Sequence, residues 1–158
     1  MIPSDKPPIW VIDSLAEAAA KAEDAGLRLL IEPEPVCWAD TGRATVNLIQ
    51  AAKSANVGIN YDPCNVAWML RRDPIDEFEI IAPFIANVHI KDQIDEPRGS
   101  GMPTWVVPGE GLIDYRPHFT ALKRIGYTGN ISLEPHMDGS LETISRCKQA
   151  VERLWDEA

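Results

Sequence analysis

Cysteine is scarce in this chain, and its spacing suggests no pairing. Cys37, Cys64 and Cys147 are an odd set of three among 158 residues, with no CxxC. That argues against both a disulfide framework and a thiolate zinc site. Basic residues are also few: 15 Lys and Arg stand against 24 Asp and Glu, for a formal charge of −9. Such a surface repels nucleic acid and anionic membranes, whose binding depends on Lys and Arg. Neither is expected as a partner, and a small molecule is the better default. No run approaches the ~18 apolar residues of a membrane-spanning helix. The opening MIPSDKPPIW has neither the basic nor the apolar region of a secretory leader. The compartment expected is the cytoplasm.

Apolar residues are plentiful at 45% of the chain, enough to build a core. They gather in four short runs with strand character: RLLIE (28–32), VGINYD (57–62), IANVHIK (85–91) and NISLE (130–134). Helix-like segments precede, separate and follow them at 13–26, 41–56, 73–84, 114–129 and 139–158. One helix followed by four strand–helix units predicts an α/β chain with a parallel sheet and right-handed crossovers. Residues 93–112, rich in Pro and Gly, read as a long functional loop after the third strand. There is no linker, repeat or low-complexity tract, so residues 1–158 are taken as a single domain.

Each predicted strand ends with, or carries near its end, a side chain that binds metals: Glu32, Asp62, His89 and Glu134. The intervals are 30, 27 and 45 residues. A strand–helix unit of a (β/α)8 barrel takes about 30, and the long loop accounts for the surplus in the third interval. All four residues then fall at the C-terminal edge of the sheet, where ligands of α/β folds collect. Pro33, Pro63 and Pro135 follow the three carboxylates. Proline ends the ladder and holds the preceding residue extended, so each carboxylate is aimed from strand geometry. One acidic residue at a strand end is usually the solvated start of a loop. Four coordinating residues in register on successive strands leave two readings open, a divalent-metal site and four solvated loop starts. The oxygen-rich set suits Mn2+, Mg2+ or Co2+ and also admits Zn2+.

The motifs LLIEPEP, GINYDPCN, VHIKD, PGEGLIDY and ISLEPH resemble the xylose isomerase-like sugar phosphate isomerase/epimerase family. The resemblance runs over nearly the whole chain. It implies a TIM barrel with one divalent metal, whose ligands map onto Glu32, Asp62, His89 and Glu134. It further implies a sugar or sugar phosphate isomerase or epimerase working through an enediolate, with Glu32 and Glu134 as the paired catalytic carboxylates. The motifs belong to the last four of the family's eight strand–helix units, so the fold expected is half a TIM barrel preceded by one helix. Either a missing N-terminal half or self-association would complete it. The rival expectation is a truncated, non-catalytic half-barrel that binds metal or a partner chain. A DNA-repair role fits poorly, because a His-rich multi-zinc cluster cannot be built from three histidines.

Asn65 stands where some epimerase relatives place a substrate-contacting His. Lys91, two residues beyond His89, shares its inward face. Glu110 lies in the PGEG turn, and Trp38 is a candidate wall for a sugar. With Asn65 and Lys91 they form the expected substrate-binding set. Asn60 is a pocket-lining candidate, His136 a neighbour of the site, Asp92 a turn cap and Arg98 a basic loop residue. Glu34 is expected at the surface, His118 as ordinary surface or core, and Cys64 as inert.

Overall fold

The computed structural model describes residues 6–35, 37–70, 73–94 and 103–158. Arg98 lies outside them. Helix α1 spans Ile9–Asp24 and begins behind Pro8, four residues before the expected start at 13. Strand β1 is Leu29–Ile31, and α2 is Gly42–Ala52, where Thr41 accepts a hydrogen bond from Ala44 N–H at 3.1 Å. Strand β2, Val57–Tyr61, leads directly into α3, Pro63–Leu70.

The single helix expected over 73–84 is instead broken into three pieces. These are a 3-10 turn at Pro74–Glu77, a short helix α4 at Phe78–Ile81, and a second 3-10 turn at Ala82–Phe84. Pro83 has no N–H to continue an α-helical ladder. Strand β3 is Ile85–Ile90, α5 is Tyr115–Arg124 capped by Asp114, β6 is Asn130–Leu133, and α6 is Leu141–Glu157 capped by Ser140.

The expected loop at 93–112 also needs correcting. Strands β4 (Asp92–Ile94) and β5 (Thr104–Val106) pair antiparallel and form a small arm on the end of β3.

The main sheet runs β1-β2-β3-β6, parallel throughout and in chain order. Strand–helix alternation with consecutive strands adjacent gives the α/β, TIM-barrel-like arrangement. The sheet is open, and the described residues form no closed barrel. β2 is buried along its whole length, whereas β1 is only half-buried and β6 ranges from half-buried to exposed.

Side chains alternate across each strand. One face carries Leu29, Ile31, Val57, Ile59, Tyr61, Val88, Ile90, Ile131 and Leu133, packed in the core shared with the helices. The other face carries Asn60, Asn87 and Ser132 and leads upward to the polar strand ends. At Gly58 the strands crowd closely: a Cβ there would meet Leu30 Cδ2 at 2.9 Å and Phe84 O at 3.0 Å.

Candidate metal centre

Glu32, Asp62, His89 and Glu134 each offer one ligand atom, and these atoms all lie within 4.8 Å of one another. His89 sits on β3 itself, while the three carboxylates follow β1, β2 and β6 by one residue. Asp62 has two tasks. Its Oδ1 accepts from Asn65 N–H at 2.9 Å, the N-cap geometry that starts α3 behind Pro63. Its Oδ2 faces the cluster, where Lys91 Nζ stands at 2.9 Å. Glu134 leaves β6 with its N–H bonded to Ile90 O at 3.0 Å, which ties its backbone to β3.

Lys91 is 3% exposed and sits among the carboxylates, 2.5 Å from Glu134 Oε2 and 3.7 Å from Glu32 Oε1. Its own carbonyl accepts from the buried Tyr115 hydroxyl. His89 Nδ1 is 2.9 Å from Glu32 Oε2 and 3.6 Å from Glu134 Oε2. His89 Nδ1 and Asp62 Oδ2 are buried polar atoms with no aligned hydrogen-bond partner. Such atoms are costly unless something compensates them.

Burial pushes Glu32 above the ordinary carboxylate range, and the charge of Asp62 adds to this against the pull of His89 and Lys91. Burial likewise pushes Asp62 up against the opposing ammonium of Lys91. For Lys91 burial acts downward, but the Asp62 and Glu134 carboxylates overcome it and hold the lysine above its usual value. Burial would raise Glu134 too, yet the hydrogen bond and charge of Lys91 keep it low.

Asn65 Nδ2 lies 2.9 Å from Glu32 Oε1, 2.7 Å from Glu34 Oε2 and 3.1 Å from Pro33 O. It therefore ties the β1 carboxylates together at the edge of the site. Glu34 is exposed as expected but is joined to the site through this amide. Cys64 is buried beside Asp62, and burial pushes its thiol up, in keeping with an inert role. The remaining two substrate candidates are Trp38 and Glu110. Trp38 makes an edge contact with Trp10 of α1, ring centroids 5.7 Å apart. Glu110 is exposed on the 107–113 turn, and its charge is felt at Cys147 of α6.

Three features exceed the expectations. Asn60 Nδ2 donates to Glu32 Oε2 at 2.6 Å, Asn87 Nδ2 to Asn60 Oδ1 at 2.7 Å, and Ser132 Oγ to Asn87 Oδ1 at 3.1 Å. This polar layer crosses β6, β3 and β2 beneath the ligands and ends on Glu32. Its sequence signal was a polar residue two positions before Asp62, His89 and Glu134, which period two puts on the same face. Second, Asp92 is fully buried and accepts from the N–H groups of Gln93, Gly109, Gly111 and Ile113 at 2.8–3.2 Å. It anchors the whole 107–113 turn rather than capping one bend. Third, His118 is buried, with Nδ1 2.7 Å from the Tyr61 hydroxyl and Nε2 3.3 Å from Asp73 Oδ1.

The chain is 29% identical to an inosose isomerase of Bacillus subtilis, over 78% of this chain and 45% of that protein. It is 27% identical to a 3-dehydroshikimate dehydratase of Bacillus anthracis, over 69% of this chain and 46% of the relative. The chain thus spans about half the length of these curated relatives. Among solved structures, the IOLI protein with a bound zinc atom superposes with a TM-score of 0.79 at 24% identity, covering 99% of this chain and 61% of that one. A Mycobacterium smegmatis protein in complex with magnesium superposes with a TM-score of 0.73 at 21% identity, covering 98% and 53%. At such identities the likeness is one of fold. The xylose isomerase-like TIM barrel family profile matches residues 9–156, and the chain belongs to that family.

Proposed function

We propose that this chain carries the metal centre of a divalent-metal-dependent isomerase or epimerase acting on a sugar or sugar phosphate through an enediolate. The observation that supports this most is the convergence of Glu32, Asp62, His89 and Glu134 within 4.8 Å. The donor set fits a divalent ion. Three carboxylates against the Lys91 ammonium leave two negative charges, which such an ion would neutralise. Asp62 Oδ2, beside the Lys91 ammonium, and His89 Nδ1, beside Glu32, are both buried. Oxygen-rich with one imidazole, the set suits Mn2+, Mg2+ or Co2+ and admits Zn2+. The zinc and magnesium of the two superposed structures are in keeping with it.

A bound ion would supply Lewis acidity, raising the acidity of a C–H beside a carbonyl. The chain's residues supply the proton traffic. Glu32 and Glu134 enter from the two outer strands of the sheet, so they address a substrate from different sides. One, ionised, takes the C–H proton, and the other, entering the step protonated, delivers its own; delivery on the opposite face is epimerisation. Asn60 and Asn65 hold the two oxygens of Glu32, and Lys91 keeps Glu134 ionised and supplies a donor to substrate oxygens. An inosose isomerase and a 3-dehydroshikimate dehydratase among the similar proteins are in keeping with this reading.

We further infer that residues 1–158 form one domain corresponding to the last four units of an eight-stranded barrel. A second half closes it, either another copy or the rest of a longer protein. The half-length match and the open edges of β1 and β6 support this. The same observations favour a second reading, a non-catalytic half-barrel that binds metal or a partner.

Metal analysis, mass in solution and a ketose panel separate these readings. We expect about one divalent ion per site, lost on Glu134→Ala, with proton exchange or isomerisation of at least one ketose. Bound metal without turnover would favour the second reading. A chain that takes up no divalent ion would refute the metal centre.

A further inference from the structure

Immediately beyond the centre, the chain turns at His136 with φ +49°, a region that side-chain-bearing residues seldom adopt. The other described non-glycine residue with positive φ is Lys53, which ends helix α2 as a left-handed C-cap. His136 ends no helix: it follows Glu134 and Pro135 after β6. Backbone strain of this kind persists where surrounding contacts demand it, and it clusters at functional sites.

Two contacts accompany this turn. The His136 ring lies against Trp105, centroids 4.6 Å apart with a 31° tilt. Its Nε2 is 3.5 Å from Glu134 Oε2, the same oxygen that Lys91 Nζ contacts at 2.5 Å. Trp105 reaches this position because β5 folds back on β4 with Trp105 opposite Gln93, so the arm growing from β3 lies near the end of β6.

We propose that His136 and Trp105 are positioning residues for Glu134. Trp105 fixes the imidazole by stacking, and His136 together with Lys91 gathers one carboxylate oxygen, setting the direction in which the carboxylate faces. This rests on the metal centre proposed above. It adds the arm, whose sequence reads as loop, to the machinery of that centre. The left-handed turn is what brings the ring back over the residue two places before it.

The test titrates the full chain with Mn2+ and, separately, Zn2+ by calorimetry, beside thermal melts. His136→Gly relieves the backbone strain and deletes the ring. It is expected to melt within a few degrees of wild type yet bind metal about 10-fold more weakly, the loss typical of outer partners of metal ligands. Trp105→Leu should lose a similar factor, while Trp105→Phe, which keeps a stacking face, should stay within about 2-fold. Because Trp105 acts through His136, the double variant His136→Gly/Trp105→Leu should bind no more weakly than His136→Gly alone. Wild-type affinity in His136→Gly would overturn the inference, as would losses that multiply in the double variant. Should Trp105→Leu fail to fold, His136→Gly and Trp105→Phe still decide it. A wild-type chain that binds neither ion would overturn the metal centre and this inference together. Wild-type binding that His136→Gly leaves unchanged would overturn the inference alone.

Discussion

Lys91 Nζ lies 2.5 Å from Glu134 Oε2, joining two residues 43 positions apart at the ends of adjacent strands. The same ammonium reaches Asp62, so one lysine holds together a cluster that would otherwise be three mutually repelling carboxylates.

Lys91→Met should therefore destabilise the metal-free protein by about 3 kcal/mol, in the range for removing one partner of a buried ion pair. Metal should recover part of the loss, because a divalent cation offers the carboxylates another counter-charge. Urea unfolding in chelator and again in Mn2+ would measure both. Equal stability of variant and wild type in chelator would show that the lysine does not hold the cluster.

Asn65→Asp replaces an amide donor set among Glu32, Glu34 and Pro33 O with a third negative charge beside the two glutamates. The variant should lose about 2 kcal/mol in chelator, from lost hydrogen bonds and like-charge contact. The loss should shrink at high salt, since part of it is electrostatic and the site is not sealed. A salt-independent loss would locate the effect in packing.

Asp92→Ala removes the acceptor of four backbone N–H groups and should cost about 3 kcal/mol. Gly111→Ala should behave similarly, because a Cβ there would sit 2.4 Å from Asp92 Oδ1 and 2.5 Å from Gln93 O. Hydrogen exchange would follow the anchor directly: the amides of Gly109, Gly111 and Ile113 should lose protection together. Unchanged protection in Asp92→Ala would show that the turn holds itself.

His118 gives a pH dependence. Burial holds its folded-state value below the ordinary 6.5, against the pull of Asp73. The unfolded chain then binds more protons than the native one as pH falls below 6.5, so stability is full above that value and declines beneath it. One such group contributes a slope of at most about 1.4 kcal/mol per pH unit. His118→Gln, with no proton to take up, should flatten the wild-type stability curve between pH 6.5 and 5. Parallel curves would mean that His118 titrates alike in both states.

Much of the centre was legible because chemistry and punctuation coincide in the chain. Glu32, Asp62 and Glu134 each stand between a short apolar run and a proline, and His89 keeps the same interval pattern. The alternation of strand and helix followed from the same runs. In sequence Pro63 reads as the end of a strand, and the same residue opens α3 with Asp62 as its cap. The arm leaves no sequence signal because DQI and TWV are three-residue strands, too short to show a period. Asn60, Asn87 and Ser132 carried a visible signal, a polar residue in an apolar run, but their role depended on register between strands.

Which groups can act, and at what level of the fold, is written in the chain's local pattern. Local rules suffice there, since period two sets the face of a side chain and proline sets where a strand stops. Tertiary structure decided which groups meet. Lys91 entered the carboxylate cluster, while Trp38 turned to Trp10 and Glu110 stayed on its exposed turn. Such pairings depend on strand register and on how the β4–β5 arm folds back. These are set by contacts between residues tens of positions apart, which no local pattern encodes.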